Sequence, residues 1–186
     1  AYPKAREFAI ESITRNPNLA EAYVALAWIQ FAYDWKFTES EKNYRKAIKV
    51  NPKFAQAYHW LGINLTSQAK HENAYSRFEK ALELDPDNHV ILMNFATSAL
   101  ENKRFSEAEV ACKRGLSVAP GYSQNWERLY TAYLLQGSKD KNIDDLVKDI
   151  EPLKSKNREI YYILAHYYKE RNTDKFQKYL SEGRSY

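Results

Sequence analysis

Between residues 55 and 88 apolar side chains fall at helical spacing twice over. Tyr58, Leu61, Gly62 and Leu65 fall at i, i+3, i+4 and i+7, the face of one helix; Ala74, Phe78 and Ala81 make the face of a second. Charged residues fill the outer positions of the second helix. Pro86 ends the second helix, because the residue before a proline is pushed out of the α region. The closing phrase recurs as "RKAIKVNP" at 45–52, "EKALELDP" at 79–86 and, worn down, "KRGLSVAP" at 113–120. Pro17, Pro52, Pro86 and Pro120 stand 35, 34 and 34 residues apart. A fixed interval of that size predicts stacked helical hairpins, none of which can bury its apolar faces alone.

The unit 55–88 resembles the tetratricopeptide repeat along its whole length. That motif wants a large residue at position 4, Leu at 7, a small residue at 8 and an aromatic or aliphatic residue at 11; then Ala at 20, an aromatic at 24, Ala at 27 and Pro at 32. Tyr58, Leu61, Gly62, Leu65, Ala74, Phe78, Ala81 and Pro86 fill these places. Small residues at 8, 20 and 27 let the helix axes approach, and large ones fill the remaining grooves. Residues 20–53 keep the phase with Tyr23, Leu26, Ala27, Ser40, Tyr44, Ala47 and Pro52, with one residue inserted near "YDWKF". Residues 89–122 keep it with Leu92, Phe95, Ala96, Ala99, Ala108, Cys112, Gly115 and Pro120. The resemblance implies an all-α fold, a right-handed α-α superhelix with a concave side, forming one domain over 1–186.

The register weakens toward the ends. Residues 123–152 read as a degenerate repeat: Trp126, Leu129 and Tyr133 fit, but Tyr130 stands at the small position and "NIDDLVKDI" lacks the Ala pattern. Residues 155–186 read as a capping hairpin around Tyr161, Leu164, Ala165 and Tyr168, with Tyr162 and His166 off that stripe as an exposed docking or self-association patch. Residues 1–17, with Ala5, Ala9 and Pro17 in register, read as the second helix of a truncated repeat, so the chain is expected to start in mid-repeat.

In this family the concave surface comes mainly from first-helix positions 2, 5, 9 and 12, with 6 nearby. Carried over, the expected groove residues are Trp28 and Phe31; Gln56, His59, Trp60 and Ile63; Met93, Asn94 and Thr97; and Gln124, Glu127 and Arg128. One subfamily grips a peptide's terminal carboxylate with Lys at 5 and Asn at 9. Here those places read Val24 and Trp28, then His59 and Ile63, so that clamp is absent. An apolar, aromatic groove with some amide and Arg character suits an extended or helical segment of a protein partner. The alternative for Trp28, Phe31 and Trp60 is packing against neighbouring helices, and for His59 a plain hydrogen bond.

Composition narrows the chemistry. Charged residues make up 28% of the 186, with a formal net charge of +4 and no basic run, which speaks against nucleic-acid binding. No apolar stretch is long enough for a membrane span. The single Cys112 excludes an internal disulfide and falls at the aromatic position 24, where it packs as a small apolar group. His59, His71, His89 and His166 form no i, i+4 metal pair, and Asp144, Asp145 and Asp149 lack calcium-loop spacing. No phosphate-cradling glycine loop is present. No catalytic residue, cofactor or metal is expected.

A narrower resemblance covers residues 19–62. With "YDW" at 33–35, the stretch into Asn51 and Pro52 and "AYHW" at 57–60, it resembles the C-terminal repeat region of CadC/ToxR-like winged-helix transcription regulators. That resemblance implies a sensor or interaction domain, with self-association or a signal-bearing partner, DNA binding upstream and a periplasmic setting; without it the expected setting is cytoplasmic.

Overall fold

The computed structural model describes residues 2–137, 140–156 and 158–185. These form eleven α-helices: α1 Tyr2–Arg15, α2 Ala20–Ala32, α3 Phe37–Val50, α4 Ala55–Ser67, α5 His71–Leu84, α6 His89–Glu101, α7 Phe105–Val118, α8 Ser123–Leu135, α9 Asp140–Ile150, α10 Arg158–Tyr168 and α11 Thr173–Ser185, with a 3-10 segment at Glu151–Lys156. No strand occurs among the described residues. Helices α2/α3, α4/α5, α6/α7 and α10/α11 pack as hairpins, and the helices α2, α4, α6, α8 and α10 also touch in series. The result is an α-α superhelix.

The apolar faces close as the spacing predicts. Leu61, Leu65, Ala74 and Ala81 are wholly buried and Phe78 is nearly so. Gly62 lies against the Phe78 ring, where an added Cβ would stand 2.7 Å from Cε1. In the preceding unit Ser40 replaces alanine at position 20, and its buried hydroxyl donates to the Ala27 carbonyl at 2.8 Å. The glycine at position 27 of the following unit has its own cause. Asn125 of α8 sits over Gly115, and a Cβ there would approach Asn125 Nδ2 to 2.4 Å.

The weak fourth unit also has a physical form. Ile143, Leu146, Val147 and Ile150 of α9 are buried, an aliphatic stripe in place of the alanines. With Tyr130 at the small position of α8, two helices lined by large residues cannot approach as the earlier pairs do. Accordingly α8 packs more closely on α7 than on α9.

The turn inside each unit repeats a backbone state that the apolar pattern does not show. Trp35, Ala69, Lys103 and Gly137 all have φ between 57° and 62°, and they stand at 34-residue intervals. Only the last is glycine, although the left-handed conformation costs another residue roughly 1–2 kcal/mol. Because four turns share it, the positive φ of Trp35 belongs to the repeat. The turn 33–36 is one residue longer than 68–70 and 102–104, and both Tyr33 and Asp34 amides donate to the Ile29 carbonyl. We predict that Ala69→Gly with Lys103→Gly raises the melting temperature by roughly 2–6 °C; thermal unfolding followed by circular dichroism checks it.

Candidate partner-binding groove

The facing side chains of the serially packed helices form a line of ties from one unit to the next. Between α2 and α4 the Trp28 and Trp60 rings pack at 4.3 Å between centroids, tilted by 48°. Between α4 and α6, Asn94 Nδ2 donates to His59 Nε2 at 2.8 Å. Between α6 and α8, Arg128 Nε donates to Thr97 Oγ1 at 2.9 Å. Between α8 and α10, the Tyr130 hydroxyl meets His166 Nδ1 at 2.8 Å.

The expected groove residues therefore separate by burial. Gln56 is exposed; Trp28, Phe31, Trp60, Ile63, Met93, Asn94, Thr97, Gln124, Glu127 and Arg128 are half-buried. His59 is different. It is 6% exposed, lies behind the groove wall against Trp60 and Phe78, and has its pKa pushed down to about 4 by burial. It ties two units and offers no face to a partner. Thr97 is engaged by Arg128, whose guanidinium also pairs with Glu127 at 2.8 Å.

The aromatic side chains join into one row. From Trp60 it passes to Trp28, then Phe31 at 5.8 Å, Phe37 at a further 5.6 Å, and Trp35 edge-on at 6.1 Å. Trp35 is 74% exposed. Phe37 and Trp35 lie outside the family's groove positions, so only the fold brings them to the row. A second feature escapes sequence reasoning in the same way. A recess of about 290 Å³ lies between α8 and α10, walled by Glu127, Tyr130 and Thr131 on one side and Glu159, Tyr162 and His166 on the other. Tyr162 and His166 were legible as an off-stripe pair, but their partner Tyr130 was visible only as an exception to the motif.

Cys112 is fully buried, and burial pushes its thiol up to about 12. Native protein at neutral pH should resist iodoacetamide and become alkylated only on unfolding, as intact mass will show. Among the described residues no group of three His, Cys, Asp or Glu side chains is placed to hold a metal ion, and no helix is long and apolar enough to cross a membrane.

Residues 65–133 match the family model described as tetratricopeptide repeat. The chain is 26% identical to human tetratricopeptide repeat protein 6 over 102 residues, which cover 54% of this chain and 20% of that protein. It is 36% identical to human protein O-mannosyl-transferase TMTC3 over 92 residues, 50% of this chain and 10% of the relative. The chain thus spans a fifth or less of these relatives' length. Among solved structures, PilW, a type IV pilus biogenesis factor, superposes with a TM-score of 0.78 at 18% identity, over 99% of this chain and 85% of that one. YrrB, described as a TPR protein with an unusual peptide-binding site, superposes with a TM-score of 0.75 at 16% identity, over 94% and 90%. The tetratricopeptide repeat match thus lies within the α-α superhelix, a fold that these solved structures share.

Proposed function

We infer that this chain is a non-catalytic interaction module that holds an extended segment of a partner protein along the groove walled by α2, α4, α6 and α8. The observation that carries the reading is the aromatic row with half-covered rings, continued along the groove by Ile63, Met93 and Gln124. Large rigid rings supply contact area at low entropic cost, and a few such anchors carry most of the affinity of an interface. The peptide-binding site ascribed to YrrB, which has the same fold, supports the reading.

Changing Trp60 and Arg128 together to Ala tests it. Both side chains are half-buried on the groove wall, so helix content should persist while affinity for a groove-binding peptide falls by more than about 10-fold. Full binding by the double variant, measured by fluorescence polarisation, would move the site elsewhere. The regulator resemblance of residues 19–62 would place this groove in a sensor domain; a winged helix and a hydrophobic span encoded upstream of Ala1 are its test.

A further inference from the structure

We propose that the recess between α2 and α4 receives an arginine side chain of the bound segment, with its aliphatic stem and guanidinium plane against Trp28 and Trp60 and its charge on Glu21. The recess measures about 330 Å³ and lies beside Phe54, with Gln56 at its rim and Val24 in its floor. Of its lining residues only Glu21 is ionised. Glu21 is exposed, and its carboxylate has no hydrogen-bond or ion-pair partner among the described residues.

The chemistry of the lining selects the occupant. Tryptophan faces attract cations through the ring quadrupole. Arginine keeps a long apolar stem below a weakly hydrated planar head that stacks on such rings. The Gln56 amide oxygen is a further acceptor for the guanidinium. An acidic side chain would meet Glu21 as a like charge. The recess between α8 and α10 contrasts with this one, because its Glu127 already meets Arg128 and Arg158 already bonds the Tyr162 hydroxyl. Glu21 also lies in the first turn of α2, where a carboxylate favours the helix on its own account; a test must therefore read selectivity and not only stability.

The inference rests on the groove reading above, and the experiment separates the two. Phage-displayed random dodecapeptides are panned on the protein, and a recovered peptide is titrated as a fluorescein conjugate. Arg should recur next to apolar residues. Replacing that Arg by Gln in the peptide should weaken binding about 5- to 10-fold, and Glu21→Gln in the protein should weaken the Arg peptide alike yet leave the Gln peptide unchanged. Peptides that depend on Trp60 and Arg128 but carry no Arg, or whose Arg is indifferent to Glu21→Gln, would overturn this inference and leave the groove reading standing. Recovery of no peptide, or of peptides indifferent to Trp60→Ala with Arg128→Ala, would overturn both.

Discussion

Gly62→Leu is expected to lower the melting temperature by roughly 5–10 °C, while Gly121→Ala leaves it nearly unchanged. Gly62 is the small residue at the closest approach of α4 and α5. A Cβ alone would stand 2.7–2.9 Å from three atoms of the Phe78 ring. Phe78 is 2% exposed and its ring packs with the His59 ring at 6.0 Å, so the core leaves it little room to shift. Helix propensity opposes the effect, since glycine in a helix interior costs up to about 1 kcal/mol relative to good helix formers. Overpacking costs typically 1–3 kcal/mol or more, and a leucine adds three carbons beyond the one that already clashes. Overpacking therefore wins. For a chain of this size each kcal/mol moves the melting temperature by roughly 2–4 °C. Gly121 has nothing within 4 Å of its would-be Cβ, which makes its alanine variant the control for glycine replacement as such. Equal melting of the two variants would contradict the helix contact described here.

That contact was legible because it depends on residues a few turns apart in one hairpin. The spacing of Tyr58, Leu61, Gly62 and Leu65 identifies a face, and the interval to Ala74 and Phe78 identifies what covers it. The left-handed turns were not legible, because alanine, lysine and tryptophan occupy places where glycine would have signalled the backbone state. Tyr130 reads as a defect in the motif; its role as a tie to His166 becomes visible only when α10 is placed beside α8.

The groove was legible as a set of positions and not as a surface. A repeat position fixes which way a side chain leaves its helix; how far the next helix covers it depends on both neighbours' side-chain sizes. Trp28 and Trp60 leave adjacent helices at different repeat positions, yet their rings meet at 4.3 Å and each partly covers the other. His59 leaves at the equivalent of Val24, yet Trp60, Phe78 and Asn94 enclose it. The exposed Trp35 joins the row through the longer turn 33–36, which no rule about first-helix positions includes.

The enclosure of His59 gives the chain an acid-sensitive joint. Asn94 Nδ2 donates to His59 Nε2 and also to the Val90 carbonyl at 3.1 Å, which fixes the amide nitrogen toward the imidazole. An accepting Nε2 is an unprotonated one, so the folded state holds the neutral ring and its pKa lies at about 4, lowered by burial. In the unfolded chain the ring protonates near its ordinary value of about 6.5. Between these two values the unfolded state binds more protons, so stability is full above about pH 6.5 and falls as the pH drops toward 4. At about 1.4 kcal/mol per pH unit the loss approaches roughly 3 kcal/mol. His71 and His166, both exposed, lack this enclosure. Urea unfolding at pH 7.0, 6.0, 5.0 and 4.5 should show the decline in the wild type, and His59→Gln, which keeps a hydrogen-bonding group but does not titrate, should show a shallower one even if less stable at pH 7. Parallel declines for the two proteins would mean that the imidazole is not enclosed in its neutral form, and with it the tie between α4 and α6 would fail.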